Sequence, residues 1–111
     1  MNKHDFDSIV VNQYVRCVRT LETKAKEYVH GEDRLEHFKA SAAEQCITPE
    51  NALWGMASKH LTSLGAMCRN GSDDMALWDE KLTDAINYMF LLSALIKERV
   101  RDDEKYRNQG T

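Results

Sequence analysis

The sequence predicts an all-α fold, an antiparallel four-helix bundle-like domain, and three observations lead to it. One Pro and five Gly among 111 residues leave little punctuation, which favours a few long elements. Apolar residues recur at spacings of three and four, and no alternating run of β-branched residues indicates a strand. A hydrophobic content of 42% and a charged content of 30% are typical of one folded domain. The domain is predicted to span 1–111, with a charged, partly disordered tail over about 102–111.

The first helix is predicted to begin near Asp5 or Asp7 and to end near Tyr28. Its inward stripe would consist of Val10, Tyr14, Val18, Leu21, Ala25 and Tyr28. Asp33 is a suitable N-cap for a second helix over about 34–45. The inward side of that helix would carry Leu35, Phe38, Ala42 and Cys46.

The third helix has the clearest start signal in the chain. Thr48 can cap the helix, Pro49 suits its first position, and Glu50 complements the positive end of the helix dipole. The helix is expected to run to about Arg69 and to stop at Asn70-Gly71. One side lacks bulk, and it either faces solvent or lets another backbone approach. This side carries Gly55, Ser58, Thr62, Gly65 and Ala66.

The fourth helix is predicted from about Met75 to Arg101 or beyond, after the capping residues Ser72-Asp73-Asp74. Glu80, Asp84, Asn87 and Leu91 fall within about 60° of one another on it. The following residues 89–92 (Met-Phe-Leu-Leu) point in all directions, which is typical of an enclosed segment. We therefore expect the polar column above Leu91 to face the interior, where carboxylates need a cation or a donor.

Glu80 and Asp84 lie one turn apart, so both carboxylates could reach one hard cation. Mg²⁺ binds a few carboxylate oxygens and completes its shell with water and phosphate oxygens. These two residues are the candidate metal ligands, and Asn87 could bind a ligand or orient Asp84. The alternative is a solvent-facing stripe paired with Lys81 or with a neighbouring helix.

Further candidates for ligand binding lie on the other helices. His60 falls in the apolar stripe of the third helix, where it is either a core residue or a ligand contact, and Lys59 could reach a phosphate. At the junction of the first two helices, Lys24, Tyr28, Asp33 and Phe38 mix charge with aromatic rings. That junction either receives a nucleotide or simply staples two helices together.

Composition also weighs against several classes of protein. A net charge of −3 offers no basic face for nucleic acid. Three widely spaced cysteines without metal-ligand spacing favour reduced thiols in an intracellular, cytoplasmic protein. The N-terminus is too polar for a signal peptide, and no apolar run approaches the length of a membrane span.

The order of these segments resembles small helical proteins of bacteriophages and prophages, including nucleotide-modification-associated domains. The resemblance covers roughly 19–98 and rests on four motifs, which are Lys24-x-x-x-Tyr28, Asp33-x-Leu35-x-x-Phe38-Lys39, Thr48-Pro49-Glu50 with Lys59-His60, and Asp79-Glu80-x-x-x-Asp84-x-x-Asn87-Tyr88. The chain is more distantly similar to the all-α nucleoside triphosphate pyrophosphohydrolases of MazG and dimeric dUTPase type.

The enzyme resemblance implies two acidic Mg²⁺-binding motifs, an EExxE and an ExxD. Asp84 matches the Asp of the second, whereas Glu80 is displaced by one residue and the first motif is absent. Ser58, Lys59 and His60 stand where its acids are wanted. The leading hypothesis is therefore a phage-type protein, acting in an infected or lysogenic host, that binds a nucleotide-like ligand, and sequestering a host signalling nucleotide is one use for such binding.

Two alternatives remain open beside this hypothesis. One is a Mg²⁺-dependent nucleotide pyrophosphohydrolase, and the other is a counter-defence inhibitor that binds a host protein. A homo-oligomer is also expected, because four helices in one layer have difficulty enclosing both the Phe90 side and the small-residue side of the third helix.

Overall fold

The computed structural model describes residues 1–28 and 30–109, and the side chain of Tyr28 lies outside that description. Within these residues the chain forms helices and no strand, which confirms the predicted all-α, bundle-like fold. The helices are α1 (Lys3–Tyr28), α2 (Glu36–Gln45), α3 (Pro49–Asn70) and α4 (Met75–Gln109).

The α3–α4 pair is the centre of the molecule, and local signals determine where α3 begins and ends. Thr48 accepts a hydrogen bond from the Asn51 N–H at 3.2 Å, with Pro49 at the first helical position. Gly71 closes the helix in the left-handed conformation (φ 67°), which a residue without Cβ adopts freely. Both ends of α3 agree with the sequence prediction, because each depends on residues within one turn.

The hydrophobic core lies where α2, α3 and α4 meet. Its buried members are Leu35, Phe38, Leu53, Ala57 and Leu95. Met56, Tyr88, Leu91 and Leu92 pack against it as partly buried neighbours. The core is therefore built by three helices.

The second helix begins later than the sequence suggests. The Asp33 carboxylate accepts a hydrogen bond from the Leu35 N–H at 2.9 Å and holds a turn, so the helix starts at Glu36. Leu35, Phe38 and Ala42 are buried as expected. The prediction for Cys46 was wrong: it is exposed, because it ends α2 in the left-handed conformation and turns away from the core.

The orientation of α1 differs most from the prediction. Cys17 is fully buried against α4, whereas Val10, Tyr14 and Val18 of the predicted inward stripe are exposed. Two hydrogen bonds set this orientation: Gln13 donates to the Thr83 hydroxyl at 2.9 Å, and Asn87 donates to the Cys17 carbonyl at 3.1 Å. Polar contacts outside the apolar stripe thus decide which face of α1 meets α4.

Two features of α4 also depart from the predictions. Residues 102–109 are exposed but helical, so the expected partly disordered tail is instead the last two turns of α4, and 110–111 lie outside the described residues. This segment contains no Gly or Pro, and four of its eight residues (Glu104, Lys105, Arg107 and Gln109) are good helix formers, which favours the continuation. Met89 and Phe90 are about 40% exposed and not enclosed, because α1 and α3 cover only two of the three sides of α4.

Candidate functional site

A cleft opens between α1 and α2 above the surface of α4. It arises because α1 packs against α4, while α2 packs against α3 on the other side of α4. Its volume is about 610 Å³, which lies within the range of small-molecule sites. Its polar lining residues are Lys24, Asp33, Arg34, His37, Asp84, Asn87 and Glu98.

The apolar part of the lining forms the walls of this cleft. Leu21 and Ala25 come from α1, Phe38 from α2 and Met56 from α3, while Phe90, Leu91 and Ala94 come from α4. Leu35, just before α2, and Tyr88 of α4 complete the lining. A cleft with apolar walls and charged groups at a few points is typical of a site for a small amphiphilic ligand.

Asp84 occupies one end of the cleft, between two nitrogen groups. One carboxylate oxygen lies 3.0 Å from the Lys24 ammonium nitrogen, and the other lies 3.8 Å from Nδ1 of His60. The Asp84 side chain is only 12% exposed, whereas Lys24 is half exposed and bridges α1 to α4. The lysine charge thus compensates a largely desolvated carboxylate.

His60 is close to Asp84 but does not form a hydrogen bond with it. A separation of 3.8 Å exceeds hydrogen-bonding distance, and within the described residues Nδ1 is buried without a partner. The imidazole ring is tilted against Tyr88, with ring centroids 5.1 Å apart. His60 therefore supports the end of the cleft from behind Asp84 and does not line it.

Asn87 joins the cleft to the attachment of α1. Its Nδ2 donates to the Cys17 carbonyl, while its Oδ1 has no hydrogen-bond partner among the described residues. Such an unsatisfied buried acceptor costs about 1–3 kcal/mol. Because Asn87 also lines the cleft, a ligand donor could satisfy this oxygen if the side chain turned slightly toward it.

The opposite end of the cleft is closed by an ion cluster centred on Lys39. The Lys39 ammonium lies 2.6 Å from Asp33 and 2.7 Å from Glu98, so it ties the start of α2 to α4. The hydrogen bond from Lys39 is the main cause that lowers the pKa of Asp33, and the Leu35 N–H acts in the same direction. The hydrogen bond to Asp33, followed by that to Glu98, raises the pKa of Lys39.

The structure thus brings together many of the candidate residues from three helices and the link before α2. Lys24, Asp33, Phe38, Asp84 and Asn87 all line the cleft. Phe38 is nearly buried in the core and contacts His37 edge-on, so it forms part of a wall. The side chain of Tyr28 lies outside the described residues.

Lys59 and Glu80 are not among the described residues that line this cleft. Lys59 is exposed on α3. Glu80 is also exposed, so the expectation that its whole column faces the interior was wrong for this residue. It borders a smaller cleft of about 450 Å³, where Arg16 pairs with Asp79 at 3.4 Å.

Sequence reasoning missed Arg34, His37 and Phe90 as cleft residues. Arg34 and His37 belong to the charged junction that was singled out, so their residue types gave a signal. Phe90 was assigned to an enclosed segment, whereas in the structure it is 43% exposed and lines the cleft.

The predicted metal pair, Glu80 and Asp84, borders the smaller cleft together with Lys24. Among the described residues, no group of three or more His, Cys, Asp or Glu side chains is placed to hold a metal ion. The Lys24 ammonium lies 3.0 Å from Asp84 and Glu80 is exposed, and the metal assignment stays a prediction.

Within residues 1–28 and 30–109, no helix is long and apolar enough to cross a membrane. Comparisons with protein-family models, with curated proteins and with solved structures find no match to this chain.

Proposed function

We propose that this protein binds a small nucleotide-like ligand in the cleft between α1 and α2, without catalysis. The observation that carries the proposal is the cleft itself, with a volume of about 610 Å³, aromatic and aliphatic walls, and a lysine at one end. A planar base would lie between the walls near Phe38 and Phe90, while an anionic group would approach Lys24.

The charge balance of the cleft limits the ligand further. Asp33, Asp84 and Glu98 oppose Lys24 and Arg34 in the lining, with Lys39 compensating two of the acids from the rim. A triphosphate would bring several negative charges into a cleft without excess positive charge. A nucleoside monophosphate or a cyclic nucleotide is therefore the better fit.

The same proposal contains no metal and no hydrolysis, because the Lys24 ammonium already compensates the charge of Asp84. The phage-type setting, the bacterial cytoplasm, the sequestration of a host nucleotide and assembly into a homo-oligomer belong to the proposal. The sequence resemblance and composition support the first three statements, and the incomplete enclosure of the Phe90 side of α4 supports the last.

Calorimetric titration with nucleosides, monophosphates, cyclic nucleotides and triphosphates tests the proposal. We expect a monophosphate or a cyclic nucleotide to bind most tightly. Lys24→Met should weaken phosphate-bearing ligands about tenfold, which corresponds to the loss of one charge-assisted hydrogen bond, and should leave nucleosides unaffected. Lys26→Met is the matched control, since Lys26 is exposed on the same helix and does not line the cleft.

Asp84→Asn distinguishes a binding protein from a Mg²⁺-dependent enzyme, because it should strengthen binding in the first and abolish activity in the second. In a binder the substitution releases Lys24 from its ion pair, so anionic ligands should bind more tightly. In a Mg²⁺ enzyme it would instead abolish the release of monophosphate from a triphosphate. Monophosphate release that needs Asp84, or the absence of binding by any member of the panel, would overturn the proposal.

A further inference from the structure

The third side of α4 carries an apolar stripe that neither α1 nor α3 covers. Its spacing alternates between three and four residues from Leu82 onward, with Met75 one heptad before. The apolar members are Met75, Leu82, Ile86, Met89, Ile96 and Val100. We call this set the α4 seam, and it includes the small polar Ser93 at the one remaining position.

The α4 seam has the period that helices use to pack against other helices. Apolar residues every 3.5 positions keep one line of side chains in contact with a partner helix over several turns. Leu82, Met89, Ile96 and Val100 are each between 38% and 40% exposed, and Ile86 is half-buried. In the single chain this line of contacts faces solvent.

The dimensions of the single chain indicate how much surface remains to be covered. Its accessible area is 8192 Å², whereas a compact monomer of 12.8 kDa exposes about 6,300 Å². Its radius of gyration is 17.1 Å, against about 13 Å for a compact chain of this length. The excess of about 1,900 Å², part of which belongs to the exposed first half of α1, exceeds the roughly 800 Å² that each partner buries in a standard interface.

We infer that the α4 seam is the interface between two copies of this chain, packed α4 against α4 about a two-fold axis. A second copy brings the same apolar line, so the surface is complementary to itself as an isologous interface requires. Charges of both signs flank the seam, and Asp79 is already paired with Arg16. The surface beside the seam therefore does not favour a strongly charged partner. The inference locates the oligomer contact and does not depend on the ligand.

The pairing also adds a boundary to the cleft. Phe90 lies one position after Met89 of the α4 seam and lines the cleft from the α4 side. A second α4 along the seam would cover the outer edge of Phe90. The partner thereby shields the aromatic wall from solvent.

Light scattering over a range of concentrations tests the inference on the full chain. We expect a mass of twice 12.8 kDa for the unaltered protein, and a single-chain mass for the double variant Met89→Glu/Ile96→Glu. Tyr106→Glu is the matched control, because Tyr106 is exposed on α4 beyond the seam and its variant should keep the doubled mass. Circular dichroism checks that each variant remains helical.

If the glutamate variants do not fold, Met89→Ala/Ile96→Ala replaces them, since alanine preserves helix propensity. The dissociation constant should then rise at least tenfold. A strictly monomeric unaltered protein would overturn the inference, and so would a folded double variant that keeps the doubled mass. Neither result depends on nucleotide binding, so ligand binding in the cleft and pairing along the α4 seam fail separately.

Discussion

The α3–α4 pair and the first half of α1 are equally regular helices, yet they are stabilised in different ways. Leu53 of α3 is completely buried, and Leu95 of α4 is nearly so. In α1, by contrast, every residue before Gln13 is exposed, including Phe6 and Val11 at 58% each. Tertiary packing stabilises the first region, whereas the second extends beyond the helices that could cover it.

This difference shows that helical pattern and burial are separate properties. An isolated helix of three turns is marginal in water, so most helical stability comes from packing of an apolar face. In this chain α1 is secured near Cys17 by two hydrogen bonds with α4: Gln13 donates to the Thr83 hydroxyl, and Asn87 donates to the Cys17 carbonyl. The predictions below test how far the two regions differ.

The largest expected effect is in the core. Leu53→Ala should lower the free energy of unfolding by about 2–5 kcal/mol, because it opens a cavity in a site without solvent contact. Urea denaturation measures the change. Val11→Ala on α1 is the control and should stay within about 0.5 kcal/mol. An equal loss of stability in Val11→Ala would show that α1 is covered in solution, and the two regions would then not differ.

A smaller effect is expected at the attachment of α1. Asn87→Ala removes the hydrogen bond to the Cys17 carbonyl and should cost about 1–2 kcal/mol. Hydrogen exchange should accelerate in α1 much more than in α3 or α4, since α1 depends on this contact. Asn12→Ala, on the exposed part of α1, is the control. Uniform acceleration in every helix would show that α1 is not held separately.

The smallest effect concerns the ion cluster that ties α2 to α4. Because the pKa of Asp33 is lowered in the folded state, its contribution is present above about pH 4 and is lost as the pH falls further. Because the pKa of Lys39 is raised, its contribution is complete below about pH 10 and is lost as the pH rises. Both side chains are about 40% exposed, so the total should stay below about 1 kcal/mol.

Lys39→Met should flatten both limbs of this pH dependence, as followed by urea denaturation at several pH values. Lys97→Met is the control, because Lys97 is exposed on α4 and donates to Ser93 outside the cluster. If the free energy of unfolding depends on pH in the same way in both variants, the cluster does not contribute to that dependence.

The sequence was most informative where structure depends on neighbouring residues. Thr48, Pro49 and Gly71 act within one turn, so the ends of α3 could be predicted. The side of α1 that faces α4 could not be predicted, because it depends on two side-chain hydrogen bonds between residues far apart in the chain. The exposure of Glu80 and Phe90 likewise depends on how the helices pack, which the sequence does not show.

The candidate site shows a similar limit. Lys24, Asp33 and Phe38 could be proposed from the mixture of charge and aromatic residues at the junction, and the structure places them on one cleft. The sequence could not indicate that Lys24 meets Asp84 or that Lys39 joins Asp33 to Glu98. Those pairings arise from helix packing, and they decide how much charge the cleft has available for a ligand.

Because α1 is attached to α4 at Cys17, a rotation of the helix about this point moves both of its ends. The part before Cys17 is about 21 Å long and the part up to Lys24 is about 10 Å long, at 1.5 Å per residue. A rotation of about 10° around Cys17 would move the first turn by about 4 Å and Lys24 by about 2 Å. A displacement of the exposed end of α1 would thus move Lys24 about half as far, against its ion pair with Asp84.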